Sequence, residues 1–191
     1  MTRFGRFVNA MFVATAVSLA AGCSSPTAIL DAATSVAEDR SIDRLRDDAQ
    51  IKIDINGKLL AEKYRDLFLE VSTNVYEGNV LVTGTVKSTS DRRRATLLIS
   101  EVEGVKKIFN ELQVSEGSLE ASASDLWIET KLKAQLVSEG EVRSINYRWR
   151  SVNGVVYFIG AARSREELVR VIQIARETKG VNKVVTHVNL R

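Results

Sequence analysis

An α+β fold is predicted for this chain: two tandem αββαβ modules, each a three-stranded mixed sheet packed on two helices. Three observations predict it. The sequence matches itself at an offset of 76 residues, with Gly78 on Gly154, Val80 on Val156, Gly84 on Gly160, Gly104 on Gly180 and Val105 on Val181. Three glycines in register weigh more than apolar matches, because glycine is selected for turns and close backbone approach. Upstream the offset becomes 77, placing Asp48 on Asp125, Ile51 on Ile128, Ile55 on Leu132 and Leu59 on Leu136. A one-residue deletion between first helix and first strand accounts for the slip. Finally, each copy switches period from helical to alternating and back in the same order.

The first helix of each copy is read from Ile51, Ile55, Leu59 and from Ile128, Leu132, Leu136, spaced i, i+4, i+8 on one face. Two β-rich runs follow around Glu77-Gly78-Asn79 and Asn153-Gly154, where glycine supports a hairpin turn. The second strand, Val80 to Val86, alternates as a half-buried strand does, and Val156 to Ala162 is its equivalent. Ser90 or Thr89 is the expected cap of the next helix, with Ala95, Leu98, Ile99 and Val102 as its stripe. In the second copy the cap is Ser164 and the stripe Leu168, Val171, Ile174 and Ala175. Gly104 and Gly180 stop these helices as left-handed C-caps. Val105 to Val114 and Val181 to Leu190 are the closing strands, each parallel to the strand before it because a helix crosses between them.

The N-terminus reads as an address. Arg3 and Arg6 precede an uncharged run from Phe7 to Ala21. Fifteen helical residues span roughly 22 Å, short of the roughly 30 Å hydrocarbon core, so the segment is a secretory signal peptide over 1–22. Leu19-Ala20-Ala21-Gly22-Cys23 then resembles the lipobox of bacterial lipoproteins. It departs from the family preference in carrying Ala20, not leucine, three positions before the cysteine. The resemblance implies a diacylglycerol on the Cys23 thiol and an N-acyl chain on its amino group, with no other cofactor. Several acyl chains give durable anchoring. Ser24 after the cysteine implies the outer membrane, with the protein facing the periplasm. Residues 23–46 form the lipidated cysteine, a small polar tether and a lead-in helix. Helical character runs from Ala28 to Ala61, and Asp47 is a candidate cap for a second helix.

Composition excludes several function classes. Of the 191 residues, 45% are hydrophobic and 27% charged, which is globular. The net charge of +3 is inflated by the signal peptide; without it 25 basic residues face 24 acidic ones. Nucleic-acid binding therefore has no compositional support. One cysteine permits no intrachain disulfide and no multi-cysteine zinc site. The single histidine, His187, lies in the last strand and reads as structural. With no nucleophile motif, phosphate loop or paired carboxylates, the chain reads as a non-enzyme.

Two modules, over 47–115 and 123–191, resemble the BON module of bacterial envelope proteins. The likeness rests on Gly78-Asn79-Val80-Leu81-Val82-Thr83-Gly84 with Val102-Glu103-Gly104-Val105, and on Gly154 to Gly160 with Lys179-Gly180-Val181. A lipobox before two such modules is similar to dual-BON outer-membrane lipoproteins linked to division-site localisation and envelope integrity. That resemblance implies binding of anionic phospholipid through the second module. The residues offer Trp127, Lys131, Lys133 and Leu126 as the candidate site, since an aromatic ring beside lysines suits a headgroup interface. Trp127 packed against the other module, or in the core, is the alternative, and Glu129 counts against the electrostatics. Arg143, Arg148 and Arg150 around Tyr147 and Trp149 make either a phosphate-binding ridge or a solvated sheet face. Arg92-Arg93-Arg94 at a helix start opposes the dipole and hints at an anion. An adaptor role, docking an envelope assembly or division partner by strand addition, is the competing function.

Overall fold

The computed structural model describes residues 41–61, 64–115 and 123–191. The predicted signal peptide, Cys23, the expected tether and the first part of the expected lead-in helix lie outside the described residues.

Helix α1 spans Ile42–Leu60 and is capped by Ser41, whose Oγ accepts the Arg44 N–H. Asp47 lies inside this helix and starts no second one. Ile51, Ile55 and Leu59 turn inward, as their spacing requires, and meet Ala95, Leu98 and Ile99 of helix α3 (Thr89–Ser100). The cap of α3 is Ser88, one residue before the expected candidates, because its Oγ accepts the Asp91 N–H. Between them run a short helix α2 (Arg65–Glu70) and the antiparallel hairpin β1 (Val71–Tyr76) and β2 (Asn79–Val86). Glu77 and Gly78 both have positive φ, +52° and +79°, giving the type I′ turn whose twist suits a two-residue hairpin.

The aspartates matched in the repeat hold this turn. Buried Asp48 accepts the N–H of Glu77 at 2.7 Å and of Gly78 at 2.8 Å. In the second copy Asp125 accepts from Asn153 N at 2.8 Å, Gly154 N at 2.9 Å and Ser151 Oγ at 2.6 Å. A hairpin N–H pair buried under a helix needs an acceptor, and a carboxylate supplies charge-assisted ones.

The second copy repeats the order: α4 (Ala123–Ser138), a 3₁₀ turn (Ser144–Asn146), β5 (Tyr147–Val152), β6 (Val155–Ala162), α5 (Arg165–Glu177) and β7 (Lys183–Leu190). The one-residue slip falls where module 1 inserts α2 and module 2 has the 3₁₀ turn. β7 pairs parallel with all eight residues of β6. Its counterpart in module 1 differs from expectation. It breaks into β3 (Lys107–Asn110) and β4 (Gln113–Val114), both parallel to β2. Asn110 makes the break, its side-chain oxygen accepting the Leu112 N–H so that Leu112 turns into the core. Gly104 and Gly180 have positive φ as expected, but they shape a turn beyond the helix ends and are not the C-caps themselves; those are Glu101 and Thr178.

Ser164 caps α5 as predicted and organises a buried carboxylate. Burial of Glu167 favours its neutral form. The N–H groups of Arg143 and Arg163, with the Arg163 guanidinium, overcome that and hold its pKa below the ordinary glutamate range. A depressed folded-state pKa stabilises above the unfolded value and is lost as pH falls through the folded one. Glu167→Gln is therefore expected to cost about 2 kcal/mol near pH 7, with the deficit closing as the pH falls below the glutamate range. Urea unfolding near pH 7 and near pH 3 checks this; an equal gap at both would contradict it.

Strands β2 and β6 are buried on both faces, not half-buried as their alternation suggests. Val80, Val82 and Val86 face the helices of module 1, and Val156, Phe158 and Ala162 those of module 2. The opposite faces meet. Tyr76 and Leu81 pack against Val152, Tyr157, Ile159 and Ala161 in a core shared by the modules. Around it, His187 stacks on Phe109 with centroids 4.0 Å apart and reaches Glu111 Oε1 at 2.9 Å. Gln113 Nε2 donates to Val152 O and Tyr157 Oη, and Arg191 to Glu77 Oε1. Burying each large side chain there contributes about 1.5–3 kcal/mol, so the two sheets form one body.

Candidate membrane-contact site

Helix α4 is apolar on two opposite sides. Ile128, Leu132 and Leu136 are in the core of module 2. On the other side Leu126 and Val137 are each 65% exposed and Trp127 is 48% exposed. At about 100° per residue, Leu126 and Val137 fall on one line along the helix. Lys133 flanks that line on one side; Trp127 and Lys131, one turn apart, flank it on the other. Both lysines are exposed. The four predicted residues thus share one solvent face.

The position of this face bears on the two packing alternatives for Trp127. The modules meet through their sheets, so Trp127 on the outer helix packs neither against module 1 nor in the core. Glu129 is turned away, accepting the Ser151 N–H at 2.8 Å and the Arg150 guanidinium at 3.3 Å. It therefore does not offset the lysines.

Tertiary structure adds Lys179. A shallow groove of about 380 Å³ beside Trp127 is lined by Ser124, Trp127, Ile128, Lys179 and Gly180. The turn at Gly180 lies over Ile128, close enough that a β-carbon there would stand 3.3 Å from Ile128 Cδ1. That packing carries the exposed Lys179 to the indole. Nothing in the spacing of a lysine so far along the chain signals the approach.

Of the other basic candidates Arg93 is exposed, and Arg92, Arg94, Arg148 and Arg150 are engaged within the protein. The Arg148 guanidinium donates to the carbonyls of Ile145 and Tyr147, and Arg150 pairs with Glu129. Their cross-strand partners are Ile159 and Tyr157, which puts both arginines at the rim of the inter-module core. That sheet face is neither a free ridge nor solvated throughout. Tyr147 and Trp149 point the other way, into module 2. Arg92 donates to Asn110 O and Arg94 pairs with Asp91. Among the described residues no group of three or more His, Cys, Asp or Glu side chains is arranged to hold a metal ion, and no helix is long and apolar enough to cross a membrane.

Comparison with known proteins gives concordant matches. The family model described as BON domain matches residues 47–116 and again 124–191. A protein of Anaplasma centrale, named as an uncharacterized protein in the gshII 5' region, is 38% identical over 147 residues, 76% of this chain and 95% of that protein. The 21 kDa hemolysin of Actinobacillus pleuropneumoniae is 30% identical over 155 residues, 81% of this chain and 72% of its own length. The outer membrane lipoprotein DolP of Haemophilus influenzae is 32% identical over 111 residues, 58% of this chain and 57% of that protein. CdsD, a structural protein of the type III secretion system of Chlamydia trachomatis, superposes with a TM-score of only 0.33 at 13% identity, over 74% of this chain and 92% of that one.

Proposed function

The chain belongs to the BON domain family, and from that premise we propose that it is a non-enzymatic envelope lipoprotein that binds anionic phospholipid through its second module and supports outer-membrane integrity. It is anchored to the outer membrane by acyl chains on Cys23 and faces the periplasm. One observation carries the lipid reading: α4 exposes Leu126, Trp127 and Val137 between Lys131 and Lys133 while its opposite face is already satisfied by the core. The apolar side chains enter the headgroup boundary and the ammonium groups meet phosphate, each lysine contributing about 1 kcal/mol at an anionic surface. The Cys23 anchor raises the local concentration of module 2 at the bilayer, so a weak contact suffices. The relationship to an outer membrane lipoprotein supports the location.

Residues 24–191 contain every described element and no acyl chain, so any binding they show belongs to the folded modules. Co-sedimentation of this segment with phosphatidylglycerol-containing vesicles is expected, weakening as salt rises; phosphatidylcholine vesicles alone are expected to leave it in solution. Equal binding to both, or to neither, defeats the proposal.

A protein adaptor is the second reading, and β7 favours it. This edge strand runs unbroken for eight residues, and Val184 to Leu190 includes no Asp, Glu, Lys or Arg to deter pairing. In module 1 the same edge is interrupted after Asn110, whose carbonyl is covered by Arg92. A cross-linker at Asn189 that captures one partner in stoichiometric yield supports strand addition; capture of lipid and the chain itself alone removes it.

A further inference from the structure

Repeat symmetry supplies an internal control for the lipid surface. The groove beside Trp127 recurs in module 1 as the larger groove of about 540 Å³. By the repeat register Ser124, Trp127, Ile128, Lys179 and Gly180 correspond to Asp47, Gln50, Ile51, Glu103 and Gly104, and all five line that second groove. The isoleucine and the glycine are kept because they form the joint between helix and turn. The remaining positions change character. Lys131 becomes Asp54, Lys133 becomes Asn56 and Leu126 becomes Ala49. At these five positions, where module 2 presents Leu126, Trp127, Lys131, Lys133 and Lys179, module 1 presents a carboxylate or a smaller or polar side chain; Val137 alone of the exposed apolar line is matched by a large apolar residue, Leu60.

Basic groups in the module 1 groove do not cancel this, because Arg44 and Lys106 stand there against five carboxylates. Arg44 lies 3.9 Å from Glu77, and Lys106 Nζ donates to the Glu77 carbonyl. Asp54 accepts a hydrogen bond from Gln50. Among the described residues, Asp47, Asp54 and Glu103 have no basic side chain within ion-pair distance, nor do Lys131, Lys133 and Lys179 have an acidic one.

We propose that these paired positions decide which module meets the bilayer: Lys179 belongs to the phospholipid surface of module 2, and the acidic groove of module 1 is a face that an anionic membrane repels. The inference rests on the lipid reading above and deepens it by naming its specificity. Because the modules form one body, repelling one face while attracting the other orients the whole molecule. Screening over about 8 Å confines the repulsion to close approach, so it selects orientation and does not prevent encounter.

All positions concerned, except the half-buried Asn56, are exposed, so the preference can be moved without touching a core. The test uses residues 24–191 and flotation with phosphatidylcholine vesicles with and without phosphatidylglycerol. Lys179→Glu is expected to weaken binding to the anionic vesicles by about fivefold or more, the worth of one lysine near such a surface. A background of Trp127→Ala with Lys131→Glu silences module 2. Adding Asp47→Ser, Ala49→Leu, Gln50→Trp, Asp54→Lys, Asn56→Lys and Glu103→Lys is expected to restore binding through module 1 to within about tenfold of wild type. Circular dichroism establishes that each variant is folded. Should the full graft not fold, Gln50→Trp, Asp54→Lys and Glu103→Lys in the same background is expected to restore part of the binding. A folded graft that stays silent while wild type binds, or a Lys179→Glu protein that binds as wild type does, overturns the inference and leaves the lipid reading standing. Wild type that ignores anionic vesicles overturns both.

Discussion

Gly160→Ala is expected to destabilise module 2 by on the order of 4 kcal/mol. Gly160 has φ +152°, and a β-carbon built on it would stand 2.2 Å from the carbonyl oxygen of Asn146. That oxygen belongs to backbone at the end of the 3₁₀ turn, so no rotamer change relieves the clash. Tyr147, the next residue, opens β5 and is paired with Gly160. Displacing the turn therefore disrupts the register of the hairpin and the packing of buried Tyr147. Gly84 occupies the same place in module 1, where a β-carbon would meet Glu70 O at 2.0 Å. Gly57 is the control. It lies exposed within α1 with nothing within 4 Å of a built β-carbon, so Gly57→Ala is expected to add up to about 1 kcal/mol through helix propensity. Urea midpoints of the three proteins check both signs. A Gly160→Ala midpoint indistinguishable from wild type would show that the approach of the turn to β6 is looser than described.

Trp127→Ala combined with Lys131→Glu is expected to lower affinity for anionic vesicles by roughly a hundredfold while leaving stability within about 0.5 kcal/mol. The half-exposed indole and one reversed charge together account for about 3 kcal/mol of membrane contact, at roughly 25 cal/mol per Å² of apolar surface and about 1 kcal/mol per charge. Neither side chain is in the core of module 2, which is why binding and stability separate. Lys131→Arg keeps the charge and is expected to bind as wild type does. Thermal melts paired with vesicle titrations read the two quantities independently. Undiminished binding by the double variant would remove these residues from the site, and a matching loss of stability would assign them a packing role.

The Glu167 carboxylate and the groove comparison show how differently features of this chain register in its sequence. Ser164 three residues before Glu167 is a local helix-start pattern, and the structure places the cap there. The donors that depress the pKa of Glu167 include the backbone of Arg143, more than twenty residues earlier, and no local pattern announces them. Likewise the register of the repeat was legible, but the meaning of its leading aspartate was not. Asp48 and Asp125 look like helix-start residues and serve as acceptors for a distant hairpin turn.

What the sequence by itself determined is whatever repeats locally: the αββαβ order, the two glycine-bearing hairpin turns, the helix stripes, and the presence of Trp127, Lys131, Lys133 and Leu126 off the buried stripe. Backbone dihedral preferences and the 3.6 and 2 residue periods set these over a few residues, so they survive without knowledge of neighbours. Only the tertiary structure decided the rest. It buried both faces of β2 and β6 by stacking the sheets, broke the last strand of module 1 at Asn110, and brought Lys179 to Trp127. It also turned Glu129, Arg148 and Arg150 inward to partners. Each of these depends on which surface meets which, and an alternating strand or an exposed-looking arginine reads the same whether its outer face meets water or another sheet. The physical reason is that burial and charge pairing are properties of contacts between distant segments, and the chain encodes the surfaces while folding chooses their partners.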